Sequence, residues 1–288
     1  MHFGSFTLTD TPPVYGTGCR NPQQFLREVL AEALLAEALG FNSVWVPEHH
    51  FGLFGCLSFD ESRARFDEEM QLVRTAWTEA GFAFAGTFHQ VREPLTVLPR
   101  PVPPHPPIYV ACSRPETVVT AGALGVGSLN FTAGTDDTLA DKVRSYRSAI
   151  ATADVRERRL NNQFCCTPTA LVLADDRTAC AHGFRGSRFF AEALATYFFM
   201  PSRIVGTLDI ARDNLSSGEL DTAMAARNRP NAPLTAIVGD PVAARETVAR
   251  FQATGVDELI LVMQMGTVPQ AIVLESLRTF AEQVMPHF

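Results

Sequence analysis

Short apolar segments alternate with helical segments along most of the chain, and this alternation restricts the possible folds more than any other feature. The run 43–48 (SVWVPE) lacks strict polar and apolar alternation, which is typical of a strand covered on both faces. A helix is predicted before it, because Asn21 can cap it, Pro22 suits its first position and Gly40 can end it. The pattern predicts parallel strands wrapped by helices, in a barrel or in a doubly wound open sheet.

The remaining predicted elements continue this order. A helix begins near Asp60 and ends near Gly81, and the proline-rich passage 94–107 is an extended connector, because proline neither continues a helix nor fits a central strand. A polar passage is expected around 211–232. The other predictions are strand 3–8, strand 108–112, helix 115–124, strand 127–131, helix 136–151, strand 166–173, helices over 177–198, helix 241–253, strand 258–263 and helix 269–284.

Size and composition limit the class of protein. A chain of 288 residues with 46% hydrophobic residues can bury one large core, and we expect a single domain over 1–288. The net charge of −7 includes no basic stripe of the kind that nucleic-acid binding requires. Because the sequence has neither a long apolar run nor a signal-peptide pattern at residues 1–20, we expect a cytoplasmic location and no membrane contact.

Two adjacent histidines, His49 and His50, follow the second strand. Active sites of parallel barrels are built at the carboxyl ends of the strands, and an imidazole there could act as a general base near neutral pH. Two structural histidines fit the spacing equally well. A metal site is disfavoured, because adjacent strand residues point apart and no nearby pattern completes a coordination shell.

Several motifs together resemble one family. Residues 40–51 (GFNSVWVPEHHF) resemble the second-strand motif of the bacterial luciferase family of flavin monooxygenases. Residues 61–66 (ESRARF), 108–113 (IYVACS) and the final segment from VGDP onwards resemble later motifs of that family, in the same order. The combination covers most of the chain and is more specific than any single motif. The resemblance implies a TIM-type (β/α)8 barrel.

The resemblance also implies the positions of the functional residues. It makes His49 the catalytic residue, near the reactive edge of the flavin. The cofactor-binding residues that it implies are Glu48, His50, Arg63, Cys112 and Ser113, with Arg63 and Ser113 at the flavin phosphate. This assignment is physically consistent, because a guanidinium and the N–H groups at a helix start both bind anions. Taken without the neighbouring motifs, Arg63 is equally compatible with a solvated helix position.

The sequence departs from the family between the EHHF and ESRARF motifs. The family has two further β/α units there, whereas only residues 52–59 separate the two motifs in this chain. We therefore expect six barrel strands, without strands 3 and 4, and place the shortfall near residues 56–58. A natural deletion, an omitted segment and an altered sequence remain open as explanations. The two units would supply flavin contacts, including a second phosphate arginine.

The activity that the resemblance implies is monooxygenation. Reduced FMN, delivered by a separate NAD(P)H:flavin reductase, would react with O₂ to form a C4a-peroxide that oxygenates a small organic substrate. The use of arginine in place of lysine, with Lys142 as the single lysine, indicates a GC-rich genome and favours a secondary-metabolite substrate. A homodimer is expected, with the helix at 60–80 in its interface. An F420-dependent oxidoreductase of the same fold and a non-catalytic flavin-binding protein remain alternatives.

Overall fold

The computed structural model describes residues 1–7, 22–46, 59–102, 105–131, 134–153, 160–199, 215–265 and 268–288. The strands, in chain order, are β1 (His2–Thr7), β2 (Ser43–Trp45), β3 (Phe82–Ala85), β4 (Gln90–Leu95), β5 (Tyr109–Cys112), β6 (Gly127–Phe131), β7 (Phe164–Thr167), β8 (Thr169–Val172), β9 (Ala236–Gly239) and β10 (Glu258–Gln264). The helices are α1 (Pro22–Ala38), α2 (Phe59–Thr78), α3 (Pro115–Ala123), α4 (Asp136–Ala151), α5 (Asp176–Phe199), α6 (Ser217–Arg227), α7 (Pro241–Ala253) and α8 (Gln270–Gln283). None of the described helices is long and apolar enough to span a membrane.

The main sheet is parallel and curled. Six of its strands form a continuous path in the order β2-β1-β10-β7-β6-β5, so that β1 lies between the second and the last strand, as in a closed barrel. The rings of Trp45 on β2 and Tyr109 on β5 are 5.1 Å apart between centroids, which brings the two edge strands of this path together. The fold is therefore α/β with a strongly curved sheet of six barrel strands, and a complete eight-stranded barrel is not formed by the described residues.

A short branch leaves this path after Pro168. β7 pairs with β6 and β10, whereas β8, which follows Pro168, pairs with β9 and touches β10 only at Thr169 opposite Val262. The strand β9 was not predicted from the sequence. The polar passage expected around 211–232 is incomplete as a description, because it contains helix α6, whose start is marked by a capping box of Ser216 and Glu219.

The register of the strands separates two faces of the sheet. Paired residues of parallel strands point to the same face, and Cys112, Asn130, Cys166 and Leu259 are aligned by successive pairings. Three of them, Cys112, Cys166 and Leu259, belong to the buried core formed with helices α3, α4 and α8. This face is therefore the one covered by helices, and the opposite, concave face includes the Trp45 contact.

The strands β3 and β4 form a separate antiparallel hairpin, which was not predicted from the sequence. In it, β3 pairs with β4 at Phe84 opposite Val91 and Ala85 opposite Gln90. Pro94 lies within β4. Proline is tolerated in this position because each strand of a two-stranded hairpin is an edge strand. The hairpin follows α2 in the chain, and β4 includes Pro94 and Leu95, the first two residues of the predicted connector 94–107.

Candidate active site

The carboxyl end of β5 carries two of the residues that the sequence singles out. Ser113 follows Cys112 directly and is exposed. Helix α3 starts two residues later, and its N-cap residue Arg114 makes no side-chain cap hydrogen bond within the described part of the chain. Pro115 occupies the first helical position. An exposed hydroxyl beside the amino end of a nine-residue helix is a donor set that suits an anion.

Cys112 is positioned differently from its neighbour. Its side chain is 2% exposed, its thiol donates to the Val110 carbonyl oxygen at 3.2 Å, and it belongs to the helix-covered face. Burial raises the pKa of the Cys112 thiol, against a smaller opposing effect of the Ser128 hydroxyl. The thiol is thus protonated and packed, so Cys112 can face a ligand only through its backbone, whereas Ser113 presents a side chain.

Arg63 lies in the second turn of α2. The structure describes its backbone and not its side chain. Glu48, His49 and His50 lie outside the described residues. The structure does fix the strand that leads to them, because β2 ends at Trp45 against Tyr109 of β5. The strand that leads into the histidines and the strand that leads into Ser113 therefore border the same opening of the curled sheet.

A buried polar group, not anticipated from the sequence, holds β2 onto the sheet. Ser43 contacts the Glu258 carboxylate through its hydroxyl, and the Trp45 indole N–H donates to the same hydroxyl at 2.8 Å. Glu258 begins β10 and is only 6% exposed. Gly4 of β1 lies between them, because a Cβ there would overlap the Ser43 hydroxyl. A single acid at the start of the apolar run 258–263 was the sequence signal for this group.

Polar side chains also line the carboxyl ends of β1 and β10. The Thr7 hydroxyl donates to the Gln264 side-chain oxygen at 3.4 Å, and both residues are buried. The end of the sheet that barrels use for catalysis is thus polar in this chain. Within the described ranges, no three His, Cys, Asp or Glu side chains converge as metal ligands.

Helix α2, which carries Arg63, is joined to the tip of the β3–β4 hairpin by Glu68. The Glu68 carboxylate accepts hydrogen bonds from the backbone N–H groups of Thr87, Phe88 and His89, at 2.6, 2.8 and 2.6 Å. Although desolvation acts to raise it, these hydrogen bonds keep the pKa of Glu68 below its ordinary value. The carboxylate is consequently charged at neutral pH, and the contact joins a full negative charge to three backbone dipoles.

Comparison with known families gives one match. A sequence model described as luciferase-like monooxygenase matches residues 1–58 and 51–258. The two matched segments overlap at residues 51–58. This overlap includes the position where the sequence predicts that two β/α units are missing. No functionally curated protein matches the chain.

Solved structures support the same fold. Monooxygenase RslO1 from Streptomyces bottropensis superposes with a TM-score of 0.76 at 23% identity, covering 100% of this chain and 99% of that one. The F420-dependent tetrahydromethanopterin reductase from Methanopyrus kandleri gives 0.66 at 13% identity, with 100% and 99% covered. The oxygenating constituent of 3,6-diketocamphane monooxygenase from Pseudomonas putida, solved with FMN, gives 0.60 at 15% identity, with 99% and 98% covered. At these identities the similarity concerns the fold.

Proposed function

Because the chain belongs to the family of luciferase-like monooxygenases, we propose that it uses reduced FMN and O₂ to oxygenate a small organic substrate. The observation that carries this proposal is the donor set at the carboxyl end of β5. Ser113 is exposed there beside the amino end of α3, whose N-cap makes no side-chain cap hydrogen bond within the described residues. A phosphate monoester is the part of FMN that such a position recognises. Bound reduced FMN supplies the electrons that activate O₂.

Each of the candidate site residues would have a separate role. Ser113 would bind the phosphate together with the guanidinium of Arg63 and the Glu116 N–H, because Pro115 has no N–H and the Thr117 N–H already donates to the Arg114 carbonyl oxygen. The imidazole of His49 accepts or returns the proton that oxygenation of the substrate requires, with Glu48 and His50 beside it. Cys112 packs the end of β5 against the helices and so fixes the turn that presents Ser113. The concave face would exclude water from the reacting groups.

A second candidate is an F420-dependent oxidoreductase, which would transfer a hydride and leave O₂ unused. The observation in its favour is the similarity of the fold to an F420-dependent reductase and to a secondary alcohol dehydrogenase with an F420 adduct. The EHHF motif at 48–51 favours the oxygenase. A third possibility, binding of flavin without turnover, follows from the predicted absence of two β/α units.

One experiment separates the three candidates. The protein is titrated with FMN, reduced FMN and F420 without oxygen, and each complex is then given O₂ and a panel of aldehydes, ketones and aromatic compounds. We expect reduced FMN to bind and an oxygenated product to form with O₂ uptake. Hydride transfer with F420 and no O₂ uptake would replace this proposal with the second candidate. Tight flavin binding with no product from any compound would support the third.

Two partners complete the proposal. A separate NAD(P)H:flavin reductase would supply the reduced FMN. Two copies of the chain would form a homodimer, with α2 in the interface between them. Light scattering at micromolar concentration should give twice the monomer mass. A monomer at that concentration would remove the dimer from the proposal and leave the cofactor assignment unchanged.

A further inference from the structure

The tip of the β3–β4 hairpin is fitted onto α2 by more than one kind of contact. Besides the three hydrogen bonds to Glu68, the His89 ring nitrogen Nε2 lies 3.1 Å from a carboxylate oxygen of Glu69. The guanidinium carbon of Arg65 lies 4.8 Å from the centre of the Phe88 ring, in a cation–π contact. We refer to the contacts of Arg65, Glu68 and Glu69 with residues 86–89 as the hairpin clamp.

The turn is shaped for the Glu68 carboxylate. A Cβ added at Gly86 would overlap the Glu68 carboxylate, so glycine is required there by the closeness of the approach. The N–H groups of three successive residues then point at one carboxylate, which is how backbone concavities bind anions. The turn therefore recognises this side chain as an anion, and a neutral amide of the same shape would place its NH₂ group against N–H donors.

The clamp lies next to the residue proposed to bind the phosphate. Arg63 precedes Arg65 by two residues and Glu68 by five in the same helix, which is about 7.5 Å along the helix axis. Phe66 and Met70 add partly buried contacts with the core, and Arg74 donates to the Leu124 carbonyl further along α2. A rotation or shift of α2 at the clamp would be transmitted to Arg63, because a helix turn moves as a unit.

We propose that Glu68 is a positioning residue, which anchors α2 on the hairpin tip so that Arg63 is presented to the phosphate of the flavin. This inference rests on the proposed function, since it requires Arg63 to bind that phosphate. It assigns a role to a partly buried carboxylate for which no contact with the flavin is proposed. The role is selective, because it concerns the phosphate and not the isoalloxazine ring.

The test compares FMN with riboflavin, which has the same ring system and lacks the phosphate. Fluorescence titration gives the ratio of the two dissociation constants, and this ratio measures the contribution of the phosphate. We expect Glu68→Gln to weaken FMN binding about tenfold, because a misplaced guanidinium loses its charge-assisted contact, and to leave riboflavin binding unchanged. Asp67→Asn is the matched control, since Asp67 is the adjacent exposed acid of α2, and it should change neither constant.

A double-mutant cycle with Arg63→Ala identifies the route of the effect. If Glu68 acts through Arg63, Glu68→Gln should cause no further loss of FMN affinity in the Arg63→Ala background. Circular dichroism checks that each variant is folded. If Glu68→Gln does not fold, Gly86→Ala provides a second test, because its methyl group displaces the carboxylate while the charge is kept, and the same selective loss is expected.

Three outcomes would overturn the inference, and they have different meanings. If Arg63→Ala lowers the affinity for FMN and Glu68→Gln does not, the clamp has no positioning role while the phosphate site stands. If Glu68→Gln weakens FMN and riboflavin equally, its role is general stability of the fold. If Arg63→Ala leaves the FMN to riboflavin ratio unchanged, the phosphate site of the proposed function is wrong, and Glu68 has nothing to position.

Discussion

The strands β10 and β2 belong to the same sheet and differ strongly in burial and in pairing. All seven residues of β10 are buried, whereas β2 has three residues, none of which is buried. β10 pairs on both sides and is covered by α8, while β2 is an edge strand of the six-strand path. Strand 3 of a complete barrel would pair at the edge of β2 that has no partner among the described strands. The difference therefore follows from the position of β2 beside the predicted shortfall.

Helix α1 shows the same contrast between its two flanks. Leu35 and Leu39 pack against the core that includes α8, whereas Leu26, Leu30 and Leu34 are 64%, 60% and 57% exposed. These three leucines are four residues apart and form a stripe on one flank. In a complete barrel the helix after the second strand lies beside α1. The sequence of α1 thus carries an apolar flank on the side where a complete barrel places the helix that follows its second strand.

Core truncation should give the largest difference between the two regions. Leu261 of β10 is fully buried, and Leu261→Ala should lower the free energy of unfolding by about 2–5 kcal/mol, because it leaves a cavity. Leu30→Ala, on the exposed flank of α1, should change it by less than about 0.5 kcal/mol. Urea denaturation of both variants provides the comparison. Similar losses would mean that the leucine stripe is covered in solution.

Turnover should depend on the residues that follow the less buried strand, β2. We expect His49→Ala to keep the fold and to lower turnover by about 10² or more, since a positioned acid or base contributes about 10²–10⁴. His50→Ala is the matched control and should reduce turnover less. Steady-state kinetics with a coupled reductase would give both values. A larger loss in His50→Ala, with His49→Ala unimpaired, would reverse the assignment of the pair.

The sequence predicted the elements best where local signals coincide with tertiary ones. Helix α7 has the predicted bounds 241–253, because Asp240 caps it through the Ala243 N–H and Pro241 occupies its first turn. The six barrel strands were also predicted, although β7 begins at Phe164 and not at residue 166. Helix α6 was missed in a polar passage, even though its capping box was legible in the sequence.

The site was predictable only as a set of residue types. The order of motifs indicated Ser113 and Arg63, but the orientation of Cys112 depends on strand register, which no local pattern encodes. The hairpin clamp was also beyond reach, since Glu68 and the turn at 86–89 meet only after the hairpin folds back on α2. Contacts between elements, and not the elements themselves, account for most of what the sequence did not reveal.

Removing a single hydroxyl should give a smaller difference in the free energy of unfolding between a buried region and the region of β2. The buried Tyr146 hydroxyl lies 2.9 Å from both the Val126 and the Asn161 carbonyl oxygens and shares its single proton between them. Tyr146→Phe should cost about 1–2 kcal/mol, because these buried acceptors lose their shared donor. Ser43→Ala removes a donor from the Glu258 carboxylate, which keeps a contact with the Cys165 thiol at 3.9 Å. Because β2 is partly exposed, water can replace the lost hydroxyl for both Glu258 and the Trp45 indole N–H. The cost of Ser43→Ala should be less than that of Tyr146→Phe in thermal or urea unfolding. The opposite order would show that the polar group at Glu258 is the more important anchor.

The smallest expected effect is on acid stability, and it arises in the carboxyl-terminal branch of the sheet. Hydrogen bonds from the Arg227 guanidinium, at 2.7 and 2.9 Å, hold the pKa of Asp176 below its ordinary value of 3.8, with a further contribution from the Asp240 N–H. Because the pKa is lower in the folded state, the ion pair stabilises the fold above pH 3.8 and this stabilisation is lost as pH falls through the depressed value.

Asp176→Asn should therefore destabilise the protein at pH 7 and make less difference at pH 3. The expected loss at pH 7 is about 1 kcal/mol, since the Asp176 side chain is 30% exposed and solvent screens the pair. Asp221→Asn is the control, because Asp221 pairs with Arg177 on the surface, where both side chains are more than half exposed. Urea denaturation of the three proteins at both pH values measures the difference. An equal loss for Asp176→Asn at pH 3 and pH 7 would mean that Asp176 contributes through packing and neutral hydrogen bonds, and that its charge adds nothing to the stability of the β8–β9 branch.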